Sequence, residues 1–264
     1  MNIFKQFWLS LYSPKDIAKF RFQGIGKTIL YVFLLVFLTS LPAFILTGNS
    51  INNGVSSFQN AVKNELPDFK ISNGQLQSDA DTPIELSYKE FDIFFDASGT
   101  LTAEDIAFKS NNAFGLLKNE LVFVTNGIAQ TQPLSLAEGF ELTNTDILDF
   151  MESMKGLLVI VLAMIIITSY IFTASLKFIE ISILALFALL ILNTGRKNLQ
   201  YRHVWRISAY SVTLATVFFA IMSTFQVTVI AGVFVNWGVS FAIVYLAYKE
   251  IPQPKQKNNR EIPQ

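Results

Sequence analysis

Apolar and polar positions alternate along this chain in long blocks. An uncharged run, Thr28 to Thr47, and a nearly continuous apolar block, Gly156 to Tyr248, bracket a polar insert from Asn49 to Glu152. Backbone amides have no partner in hydrocarbon other than one another, so each apolar run of about 20 residues is predicted to be a membrane helix. Five such segments can be marked, at residues 28–48, 156–175, 178–194, 207–224 and 229–248. The predicted fold is an α-helical membrane protein of four to five apolar helices, with an inserted small α+β or mostly β extracytoplasmic domain.

Shorter periodicities refine the remainder. Ile3, Phe4, Phe7, Trp8, Leu11 and Tyr12 fall at helical spacing, and Ser13-Pro14-Lys15-Asp16 supplies the cap and first turn of a second short helix. These predict two amphipathic helices lying on the membrane. In the insert, Ile51, Val55, Phe58, Val62 and Leu66 form a helical stripe that Pro67 should end. Short strands are predicted at residues 69–71, 84–88, 91–95, 114–117, 121–124 and 128–130. Asn73-Gly74, Ser98-Gly99 and Asn126-Gly127 act as turns between them. A helix from Thr145 to Met154 leads into the second apolar segment.

Charge changes this picture by giving it an orientation. Residues 1–27 hold five Lys and Arg against Asp16 alone, while the insert holds sixteen Asp and Glu against five Lys. Basic residues favour the cytoplasmic side, so the N-terminus is expected inside and the insert outside. The first run is too long for a signal-peptide core and no small-residue cleavage site follows it, so it is expected to remain as an anchor. The expected organisation is a cytoplasmic interfacial segment (1–27), a transmembrane helix (28–48), an acidic extracytoplasmic domain (49–154), a membrane bundle (155–248) and a disordered basic tail (249–264). Four spans keep Arg196, Lys197, Arg202, Arg206 and the tail inside if the 178–194 segment stays in the inner leaflet or continues the second helix into a cytoplasmic bundle; length alone permits five.

Mean hydropathy is +0.42 and only 15% of residues are charged, well below the roughly 25% of soluble proteins. Cysteine is absent and His203 is the single histidine, which excludes disulfides, thiolate chemistry and a multi-histidine metal site within one chain. No cofactor, metal or nucleic acid is expected. The acidic groups at Asp79, Asp81, Glu85 and at Glu104, Asp105 lack the glycine-punctuated spacing of a calcium loop. Lys177 and Glu180, three apart between the second and third segments, are expected at a membrane-edge turn or ion pair, with a buried functional pair as the alternative.

Asp96-Ala97-Ser98-Gly99-Thr100-Leu101-Thr102 resembles the DKTGTLT phosphorylation motif of P-type ATPases and, more loosely, the nucleophile turn of haloacid-dehalogenase enzymes. That resemblance would make Asp96 a nucleophile. Ala97 stands in place of the motif's Lys and Ser98 in place of the second Asp, so a structural turn at the end of a strand is the expected role.

Phe7 to Leu35 (FWLSLYSPKDIAKFRFQGIGKTILYVFLL), Glu65 to Leu76 (ELPDFKISNGQL) and Ile93 to Gly99 (IFFDASG) together resemble the bacterial domain of unknown function 1189 family. The resemblance implies a multi-pass membrane protein, mainly of Gram-positive bacteria, with some relatives called maltodextrin-utilisation proteins. Leu192 to Tyr210 is more faintly similar to Yip-type membrane proteins, which have five helices. The expected protein is a non-enzymatic cell-membrane sensor, scaffold or accessory subunit. Its expected contacts are membrane lipids and another membrane protein or envelope component. The alternative is an accessory to maltodextrin or sugar transport.

Overall fold

The computed structural model describes residues 1–89, 91–192 and 199–252. Arg196, Lys197, the last two positions of the 178–194 segment and most of the expected tail lie outside the described residues. The protein is mostly helical, and among the described residues four helices are long and apolar enough to cross a membrane: Ile25–Glu65, Asn144–Leu192, Tyr201–Thr224 and Gly232–Lys249. The chain divides into two compact units, one from Met1–Ile45 and Met164–Gln264, the other from Leu46–Ala163.

In the first unit, α1 (Ile3–Ser10) and α2 (Pro14–Phe20) start where the sequence supplies caps. The Ser13 hydroxyl accepts from the Asp16 amide and donates to the Asp16 carboxylate, and Pro14 occupies the first turn, where its missing N–H costs nothing. Both helices also pack onto the bundle. Ile17, Ala18 and Phe20 of α2 are buried against α6 (Tyr201–Ser211) and α8 (Gly232–Lys249). In α1 it is the polar Gln6 and Ser10 that are buried, while Phe4, Trp8 and Tyr12 face outward.

The apolar helices are longer than the hydrophobic segments suggest. The expected separate helix at 51–66 is a continuation of α3 (Ile25–Asn60), which passes through Pro42 and widens into a π turn at Ala61–Glu65 before Pro67. Of the turn and the ion pair expected at Lys177 and Glu180, the turn is absent, and the 178–194 segment continues the second helix. α5 (Asn144–Leu192) runs unbroken for 49 residues, more than twice the roughly 20 needed for one crossing. No Pro or Gly lies between Leu157 and Leu192, and a Lys and a Glu at i and i+3 can pair on one helix face, so nothing there requires a turn. The 207–224 segment begins earlier, at Tyr201, as α6, and continues past Val212 as α7 (Thr213–Thr224). Arg202 and Arg206 are therefore helical.

The second unit holds two sheets. Asn73 and Gly74, both at positive φ, turn β1 (Phe69–Ser72) into β2 (Gln75–Ser78), as the Asn-Gly preference of two-residue hairpins requires. The short β8 (Leu142–Thr143) closes the other edge of β1. The larger sheet takes β3 (Ile84–Ser87), β4 (Asp92–Asp96), β5 (Asn112–Leu117), β6 (Glu120–Thr125) and β7 (Ile128–Pro133) in sequence order. Among the described residues only β4 and β5 pair in parallel. Parallel neighbours need a crossover, and α4 (Ala103–Lys109) provides it.

Both faces of this sheet are covered. Phe94, Leu117, Val122 and Val124 pack with Ala103 and Ile106 of α4. On the opposite face, Phe95 and Leu116 meet Val62, Phe69, Ile71 and Leu76. Gly115 lets α4 approach: a Cβ there would stand 2.6 Å from Ile106 Cδ1 and 3.2 Å from Val122 Cβ, and both neighbours are fully buried. Gly115→Ala is expected to destabilise this unit by about 1–3 kcal/mol through overpacking. Limited proteolysis of the full chain should then show faster cleavage within residues 46–163; unchanged protection would refute the close packing.

Candidate functional site

Lys177 and Glu180 belong to the first unit. One helical turn apart on α5, their side chains retain 13% and 16% exposure, and Lys177 Nζ lies 2.7 Å from Glu180 Oε2. Two residues from other helices complete the group. Lys177 Nζ also donates to Thr216 Oγ1 of α7 at 3.2 Å, and Asn236 Nδ2 of α8 donates to Glu180 Oε1 at 2.8 Å. The Thr216 hydroxyl passes its own proton to the Val212 carbonyl at 2.7 Å, leaving its oxygen free to accept from the ammonium. The result is a net-neutral node joining three helices, in which each carboxylate oxygen has a donor.

A second polar chain runs through the same bundle. Tyr31 of α3 donates to Thr213 Oγ1 at 2.6 Å, and Thr213 donates to the Tyr210 carbonyl. The Tyr210 hydroxyl reaches Gln6 Oε1 at 3.3 Å, and the Tyr31 and Tyr210 rings meet at a tilt of 39° with centroids 4.3 Å apart. α1 turns its polar face inward, where Gln6 Oε1 accepts from the Tyr210 hydroxyl and Ser10 donates to the Gln6 carbonyl, while Gln6 Nε2 has no partner among the described residues. Nearby, Trp205 donates its indole N–H to Ser182 and stacks on Phe178.

Asp96 lies in the other unit, fully buried at the end of β4. One carboxylate oxygen accepts from the Ser98 amide at 2.9 Å, the Ser98 hydroxyl and the Gly99 amide. The other accepts from the Leu101 amide at 2.7 Å and the Thr100 hydroxyl. Five donors against about four lone-pair directions leave the carboxylate closed within its own loop. Burial pushes its pKa up, but the Ser98 hydroxyl and the amides of Leu101, Gly99 and Ser98 outweigh burial and hold it below the ordinary aspartate value.

The other acidic positions have local roles. Glu85 on β3 pairs with Lys109 at 3.1 Å, and Asp105 closes a capping box with Thr102 at the start of α4. Among the described residues, no group of three His, Asp or Glu is placed to share a metal ion.

The family model described as "Protein of unknown function (DUF1189)" matches residues 4–248. The chain belongs to that family. No curated protein and no solved structure matches it. In this DUF1189 protein the structure brings Lys177 and Glu180 together, and Asp96 belongs to the other unit. Thr216 and Asn236 carried no sequence signal beyond being polar residues within apolar segments, which is the signal that would have found them.

Proposed function

We propose that this protein is a non-enzymatic cell-membrane sensor, scaffold or accessory subunit of a Gram-positive bacterium. Its N-terminus is cytoplasmic and its acidic unit faces outward. The observation supporting this reading is that Leu46–Ala163 has its own hydrophobic cores and joins two helices apolar enough to span a membrane. Such a unit is suited to contact an envelope component, and the bundle to contact lipid and another membrane protein. In intact cells, a cysteine at Ser78 should react with a membrane-impermeant maleimide and one at Lys5 only after permeabilisation. Pull-down of the full chain should recover a stable membrane or envelope partner. The reverse labelling pattern overturns the orientation; no partner and no deletion phenotype overturns the role.

The sheltered Lys177–Glu180 pair favours a second reading, an accessory role in sugar transport, because ionisable residues within apolar helices commonly mark transport pathways. Under it, deletion lowers uptake of labelled maltodextrin, and the Lys177→Ala, Glu180→Ala double variant reproduces the loss. Full uptake in both strains rejects it.

A further inference from the structure

The Leu46–Ala163 unit encloses an apolar cavity of about 340 Å³ between its two sheets and the adjoining helix turns. Val62, Phe69, Ile71, Leu116, Leu121 and Leu134 form most of its wall, and no polar surface lines it. Protein interiors are close-packed, with few voids larger than a water molecule. A dry apolar cavity of about 150 Å³ is already enough to hold benzene. The space here is more than twice that and falls within the range of small-molecule sites.

Two local features indicate that the space is built rather than left over. Val62 sits in the π turn Ala61–Glu65, where the helix widens at the cavity wall; such turns are frequent at functional sites. On another side, the 3₁₀ turn Leu134–Ala137 contributes Leu134 and Ala137, while Leu136 of the same turn and Phe140 just beyond it are exposed.

We propose that this cavity binds the alkyl chain of a single-chain amphiphile, of which a long-chain fatty acid is the simplest. A wall without polar groups offers nothing to a sugar, nucleotide or ion, and accepts a hydrocarbon chain without leaving a hydrogen bond unmade. The volume suits one chain rather than the paired chains of a phospholipid. A protein with four helices able to cross a membrane is also surrounded by such chains. The ligand's head group stays outside the cavity. This inference deepens the sensor reading by naming what the acidic unit detects, and it rests on that reading.

The test uses the full chain in lipid nanodiscs and palmitate carrying a photoreactive diazirine on its chain. After illumination, adducts are expected on peptides of β1, β5 and β6, and unlabelled palmitate should compete them away. Ile71→Trp and the milder Ala137→Leu fill the cavity. Each should lower those adducts about tenfold, the loss expected when roughly two methylenes are no longer buried. Adducts on the apolar run 156–176 serve as the internal control and should not change. Adducts confined to the apolar runs, or cavity adducts insensitive to competitor and to filling, overturn the proposal. If Ile71→Trp does not fold, Ala137→Leu and competition on the unaltered protein decide the result. Partner capture does not depend on cavity labelling, so failure of the sensor reading is seen separately.

Discussion

Lys177→Ala is expected to destabilise the bundle by about 3–5 kcal/mol, the usual cost of stranding one charge of a sheltered pair. Without the ammonium, Glu180 keeps one neutral donor, Asn236, and faces an apolar surround with an uncompensated charge. Glu180→Ala should cost a similar amount, since Lys177 would retain only the Thr216 hydroxyl. The pair is not expected to be a large net source of stability. Removing two charges from water offsets most of their attraction, so Lys177→Met with Glu180→Leu should recover to within about 1–2 kcal/mol of the parent. Resistance of the purified full chain to unfolding in increasing dodecyl sulfate measures this. A loss in the double variant equal to the sum of the two single losses would show that the charges do not act as a pair. A maltodextrin-uptake defect that persists in a stable double variant would instead assign the pair to transport.

Asp96→Ala is expected to cost the Leu46–Ala163 unit about 3 kcal/mol, because the donors it satisfies stay behind in a buried loop. Asp96→Asn should fare little better. Its amide can accept at one oxygen, but its NH₂ group would point at other donors. The carboxylate's folded pKa is lowered from 3.8, so its contribution is fully present above that value and is lost as pH falls through the folded value. Asp105 and Asp146, held low by hydrogen bonds from Thr102 and Thr143, shift in the same direction. The unaltered unit should therefore lose stability on acidification below about pH 4, and Asp96→Asn should show a smaller loss over the same interval. Proteolysis with an acid-active protease across that range checks both points. Parallel acid profiles for the two proteins would show that Asp96 does not carry the difference.

Legibility followed the range of the interactions involved. The Ser13 cap and Asn-Gly hairpins are decided within four residues, and the turns at Asn73-Gly74 and Asn126-Gly127 appear as expected because these residues tolerate positive φ. Six strands of the insert were likewise visible as short apolar runs bounded by turns, whereas β2 and β8, polar or only two residues long, were not. α4 was missed although Thr102 and Asp105 spell a capping box, since seven residues make a weak periodic signal and the preceding letters resembled a reactive motif. Asp96 lies where its letters placed it, in a turn at the end of a strand, but the number of donors that close on its carboxylate was not legible.

By itself, the sequence determined that this is a chain of long apolar helices interrupted by an acidic, strand-rich stretch. Helix length, apolar content and local turn chemistry are properties of contiguous residues. Only the tertiary structure decided the parallel pairing of β4 with β5, the closure of β1 by β8 about 70 residues later, and the inward turn of Gln6 and Ser10. It also brought Thr216 and Asn236 to the Lys177–Glu180 pair. Each of these depends on which surface meets a given face. A polar group buried far along the chain must find its partner in space, and one-dimensional periodicity carries no record of that partner.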